Sequence, residues 1–106
     1  MITIKVRKKN GFYEEFISKG HAGYAEAGQD IVCAAVSALI ITTVNSLEKF
    51  TDDKFDVQEN DGFVSIHFRN DLSERGMLLM DSLLLGLTEI AGSYNNRYLT
   101  VKVKEV

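Results

Sequence analysis

Hydrophobic and polar residues alternate from the first positions of the chain. Ile2, Ile4 and Val6 fall on one side and Thr3, Lys5 and Arg7 on the other, the period of a strand with one buried face. Asn10-Gly11 follows, a two-residue hairpin signal, and a return strand is expected over Phe12–Lys19. The period then changes. Val32, Val36, Leu39, Ile40, Thr43, Leu47 and Phe50 form a stripe at helical spacing and predict a helix over Ile31–Phe50. Alternation returns at Phe55 and Val57 and again at Val64, Ile66 and Phe68, with Asp61-Gly62 between the two runs. That predicts a second hairpin with strands over 55–59 and 63–69. A second helix is expected over 73–94, its buried stripe made by Leu72, Met80, Leu83, Leu87, Ile90 and Tyr94. Asp71 and Glu74 have the spacing of a capping box, with the acid at N-cap. Leu99, Val101 and Val103 mark a last strand over 98–103.

The order is ββαββαβ. Alternating strands have only one covered face, because a sheet covered on both sides reads as continuous apolar runs. The fold class expected is therefore α/β, of the α+β two-layer sandwich kind: a five-stranded, mostly antiparallel sheet with two helices on one face. The 106 residues suit one domain, 1–106. The strand order does not follow from these patterns.

Charge and cysteine content narrow the function classes. Twelve basic against fifteen acidic residues give a net charge of −3, which argues against direct nucleic-acid binding. Lys5, Arg7, Lys8 and Lys9 read as a solvated strand end. The segment from Ile31 to Val44 is interrupted by Ser37, Thr42 and Thr43 and is expected to be too short to span a bilayer, so no membrane partner is expected. The start of the chain reads as a strand and not as a signal peptide. Cys33 is the one cysteine, so no internal disulfide can form, and no Cys/His cluster has metal-ligand spacing. No metal or cofactor is expected, and the chain is placed in a reducing cytoplasm.

Chemistry concentrates between Gly20 and Ser37. With Asp30 as N-cap, Cys33 is the third residue of the first helical turn, where the helix dipole and free N–H groups favour negative charge on sulfur. Those N–H groups are also expected to bind the oxyanion of a tetrahedral intermediate. His21 ends the second strand, and a glycine-punctuated loop (Gly20, Gly23, Gly28) could fold it over the helix start as general acid. Ser37 lies one helical turn beyond Cys33, where its hydroxyl could bond back to the Cys33 carbonyl. Spacing alone favours plainer readings: a lone cysteine in an apolar helix is a small buried hydrophobe, and His21 is an ordinary loop residue. Ala22, Ala25 and Ala27 are small, so the loop is expected to lack packing anchors and to move. His67 is expected to be exposed on its strand, and Met77 and Met80 to fill the core.

The pattern Gly20-His21, then Asp30-x-x-Cys33 with Ser37 four residues on, resembles the signature of the ribosomal-processing cysteine protease family Prp. The resemblance extends along the chain to Gly86-Leu87 and Ile90-Ala91; Asn95 stands after Tyr94 where the family pattern has a proline. It implies a cysteine endopeptidase that removes the short N-terminal extension of a large-subunit ribosomal protein (number twenty-seven) after a hydrophobic-aromatic motif. It also implies a homodimer. By that resemblance His21 and Cys33 are catalytic, Asp30 and Ser37 supporting, and Gly20 a loop hinge. Leu78, Leu79, Leu84 and Leu85 lie outside the main stripe of the second helix and fit a dimer surface. Two other classes compete. A non-enzymatic ribosome-associated binding factor would cleave nothing, and a thiol redox sensor would lack a resolving cysteine.

Overall fold

The computed structural model describes residues 1–26 and 28–106. Ala27, one of the small loop residues named above, lies outside the described residues. The elements are β1 (Ile2–Lys9), β2 (Phe12–Lys19), α1 (Ile31–Phe50), β3 (Phe55–Asn60), β4 (Phe63–Phe68), α2 (Glu74–Ser93) and β5 (Leu99–Glu105). The order ββαββαβ is the one expected. The five strands lie in the order β3-β4-β2-β1-β5. Three neighbouring pairs are antiparallel, and β1–β5 is parallel.

One face of the sheet carries the core. Ile2, Ile4, Val6, Phe16, Ile66, Phe68 and Leu99 pack in one cluster with Val32, Val36, Ile40 and Leu47 of α1 and Met80, Leu83 and Leu87 of α2. Both helices therefore cover the same face. Phe16 sits at its centre, fully buried, opposite Val6 on one side and Ile66 on the other. Met80 is fully buried and Met77 packs against the core, while His67 is exposed, as expected.

The β1–β2 ladder slips once. Arg7 faces Glu15 but Lys8 faces Tyr13, so Glu14 is a bulged residue. The bulge turns Tyr13 into the core, where its hydroxyl donates to Asp81 Oδ1 at 2.5 Å. Burial, and then the neighbouring Asp81 carboxylate, push the Tyr13 phenol well above its ordinary value.

Three local expectations are corrected. The N-cap of α2 is Ser73 and not Asp71. Asp53 accepts from both the Ser73 N–H (3.0 Å) and its hydroxyl (2.7 Å), and Ser73 Oγ accepts from the Gly76 N–H (3.1 Å). That clamp from the α1–β3 connection fixes where the helix starts. Phe50, assigned to the buried stripe of α1, is exposed at its last residue. Finally, the first apolar segment is not short. α1 runs 20 residues with a mean hydropathy of 1.8, and α2 runs 20 with 1.2, so both are long and apolar enough to cross a membrane by length and composition. Here each turns a stripe of five buried residues inward.

At the end of α2, Asn95 and Asn96 are left-handed, with φ of 55° and 58°. Proline is locked near −65°, so the turn that Asn95 makes is closed to the proline of the family pattern.

Candidate active site

Asp30 opens α1 from an extended conformation, with φ −83° and ψ 96°. Its Oδ1 accepts from the Val32 N–H at 3.0 Å and the Cys33 N–H at 2.9 Å, so Cys33 is the third residue of the first turn, as expected. Asp30 Oδ2 accepts from the Tyr24 N–H at 3.1 Å. The bond from the Cys33 N–H, with others from the loop, holds this carboxyl below its usual range. Asp30 thus does two structural jobs: it caps the helix and ties the loop to it. Of the N–H groups at the helix start expected to bind an oxyanion, those of Val32 and Cys33 are taken by Asp30.

The loop is better held than its small residues suggested. Ala22 is buried in the core cluster, and its N–H points at Cys33 Sγ from 3.2 Å. Tyr24 stacks edge-on against Tyr94 and Tyr98, with ring centroids 5.6 and 5.2 Å away. Its first half is therefore anchored by a burial and an aromatic cluster, which corrects the expectation of a segment without packing. The signal was present in Tyr24 itself; its partners stand some seventy residues away in sequence, at the end of α2 and before β5.

His21 is placed from the other side. β2 ends at Lys19, opposite Phe63 of β4, and the Gly20 N–H then donates to the Gly62 carbonyl at 2.8 Å. Gly20 has φ +100°, and a Cβ there would strike the Met1 carbonyl, so only glycine fits. The His21 side chain is 65% exposed, with Nε2 3.8 Å from Asp61 Oδ2. The imidazole lies over Gly62, so close that a Cβ on Gly62 would be 2.7 Å from Nε2. Asp61 and Gly62 were legible only as a turn; their proximity to His21 follows from β2 pairing with β4, which no local pattern gives.

Among the described residues no hydrogen bond joins His21 to Cys33. They border the same two depressions, together with Ser37 and Asp61. One is a groove of about 480 Å³ between α1 and the β3–β4 hairpin. Its walls are mixed: Val36, Ile40 and Val44 on the helix side and Val57, Phe63 and Val64 on the sheet side are apolar, with Asn45, Glu59, Asn60 and Asp61 between and around them. The other, of about 680 Å³, lies under the loop and is lined by Gly23, Ala25, Gly28 and the first turn of α1. Ser37 is exposed to both. The expected back-bond to the Cys33 carbonyl is not made, although Thr43, Thr51 and Ser93 each bond back in this way.

The site therefore offers a thiol at a helix start, an imidazole on the lining of the same depressions and a groove with apolar side chains on both walls. The sequence profile described as cysteine protease Prp matches residues 1–99. The ribosomal processing cysteine protease Prp of Staphylococcus aureus is 31% identical over 98 residues, covering 90% of this chain and 92% of that one. That of Bacillus subtilis is 30% identical over 87 residues, covering 76% and 78%. Among solved structures, the Staphylococcus aureus protease with a covalently linked product peptide superposes with a TM-score of 0.93 at 29% identity, covering 98% of this chain and all of that one. A Streptococcus mutans protein superposes with a TM-score of 0.86 at 35% identity, covering all of this chain and 96% of that one.

Proposed function

The chain belongs to the Prp family of cysteine proteases, and on that premise we propose that Cys33 is its nucleophile, His21 its general acid and base, and an N-terminally extended ribosomal protein its substrate. The observation that carries this reading is that Cys33 and His21, from separate elements, border the same two depressions. His21 takes the Cys33 proton, and Cys33 Sγ, beside the positive end of α1 and the Ala22 N–H, attacks the scissile carbonyl carbon. The C–N bond breaks, and His21 delivers its proton to the departing amine. Water then attacks the thioester and gives a proton to His21; the C–S bond breaks, the acid product leaves, and His21 returns the proton to sulfur. The Ala22 N–H, 3.2 Å from the sulfur, is placed to meet the carbonyl oxygen once the S–C bond forms.

The apolar side chains on both walls of the groove suit a hydrophobic-aromatic peptide, the motif expected ahead of the cut in the large-subunit ribosomal protein (number twenty-seven). The relatives' name, ribosomal processing protease, supports that substrate class. Asp30 supports the site by capping α1, and Ser37 by facing the groove. A homodimer is supported by Leu78 and Leu85 of α2, which are 68% and 62% exposed. A cytoplasmic setting is supported by the single thiol. The test is mass spectrometry of an extended ribosomal-protein N-terminus incubated with wild-type, Cys33→Ala and His21→Ala protein. Cleavage by wild type alone is expected. A chain that binds the extension without cutting it would instead be the non-enzymatic binding factor, and normal turnover by either variant would sink the assignment of the pair.

A further inference from the structure

We infer that the tip of the β3–β4 hairpin is the positioning element for His21: Gly62 forms the seat of the imidazole and Asp61 stands beside its Nε2. This rests on the assignment of His21 as the acid and base. Three observations converge on the tip. The Gly20 N–H bonds to the Gly62 carbonyl at 2.8 Å, which fixes the backbone immediately before His21. The ring lies on the bare Cα of Gly62, where any Cβ would come within 2.7 Å of Nε2 and 3.2 Å of Cε1. Asp61 Oδ2 stands 3.8 Å from Nε2.

An exposed imidazole on a loop needs such a seat. Its side chain is 65% exposed, so core packing does not select its rotamer, and a small misplacement of an acid-base group is costly to rate. A flat glycine surface lets the ring lie close. Asp61 adds a carboxylate beside the ring, 3.8 Å from Nε2. The pair is weak because Asp61 is 98% exposed, so the seat is the larger effect and the charge the smaller.

Gly62 also has φ +67°, so a substitution there strains the turn. Gly11, at the tip of the other hairpin, supplies the matched control: φ is +82° and a Cβ would meet nothing within 4 Å. Asparagine tolerates left-handed backbone and still adds a Cβ. The experiment measures kcat, KM and melting temperature on an extended ribosomal-protein peptide for wild type, His21→Ala, Gly62→Asn, Gly11→Asn, Asp61→Asn and Asp61→Glu. Gly62→Asn is expected to lower kcat by about tenfold or more, with KM little changed and a melting temperature close to that of Gly11→Asn, which keeps wild-type kcat. Asp61→Asn is expected to lower kcat about threefold, with Asp61→Glu restoring it. If His21→Ala is inactive while Gly62→Asn keeps wild-type kcat, the seat is overturned and the protease assignment stands. If His21→Ala cleaves normally, both fall.

Discussion

Two hairpins in this chain close on glycine, Asn10-Gly11 between β1 and β2 and Asp61-Gly62 between β3 and β4. At the first tip both residues are left-handed, with φ of 53° and 82°, the geometry of a tight two-residue hairpin turn. Gly11 looks into open space, and its N–H is taken by Glu105 at 2.8 Å. At the second tip only Gly62 of the pair is left-handed, and it lies beneath His21. The same dipeptide chemistry thus makes one turn that only reverses the chain and one that borders the groove lined by His21 and Cys33. Turn residues state that the chain reverses; what stands over the turn is decided by sheet order.

The sharpest break between the two neighbourhoods is chemical. Cys33→Ala should reduce peptide cleavage by at least about 10³-fold with circular dichroism unchanged, because the side chain is only partly buried at a helix start. No substitution at the Gly11 tip should approach that loss; cleavage assays on both decide it. Where the two hairpins share a core, the distinction should vanish. Phe16 pairs with Val6 on one side and Ile66 on the other, so Phe16→Ala should cost about 3–5 kcal/mol of global stability. Urea unfolding should show one transition, and two separate ones would break the single-core account.

A smaller effect belongs to the side nearer the site. The Asp30 carboxyl is held below its usual range by the Cys33 N–H and the loop. A depressed folded value stabilises the protein above the unfolded carboxylate pKa of about 3.9 and is lost as pH falls through the folded value. Asp30→Ala should therefore lower the melting temperature at neutral pH, flatten the loss of stability on acidification, and raise hydrogen exchange around Tyr24. Exchange there equal to wild type would mean the tie from Asp30 to the loop is idle.

The smallest belongs to the first hairpin. Tyr13 is pushed up by burial and by Asp81, above its ordinary 10.0. A raised folded value gives stability that is complete below the unfolded value and lost as pH rises above it. Stability should decline above about pH 10, and Tyr13→Phe should lessen that decline while leaving kcat at neutral pH unchanged. An alkaline limb identical in the variant would refute the Tyr13–Asp81 account.

Element type and order were determined by the sequence, because period two, period 3.6 and turn residues are local properties that a short stretch carries by itself. Cys33 at the third helical position was legible for the same reason, through Asp30 one turn earlier. Four things were decided only by the tertiary structure. The strand order brought β2 against β4 and so Gly62 under His21. The Glu14 bulge rotated Tyr13 into the core against Asp81 of α2. Asp53 reached from the α1–β3 connection to move the α2 cap from Asp71 to Ser73. Tyr24 found Tyr94 and Tyr98 and anchored a loop whose own neighbours are alanine and glycine. Each of the four joins distant segments of the chain. A one-residue slip in register or a different neighbour in the sheet would leave every local pattern intact and undo the first two.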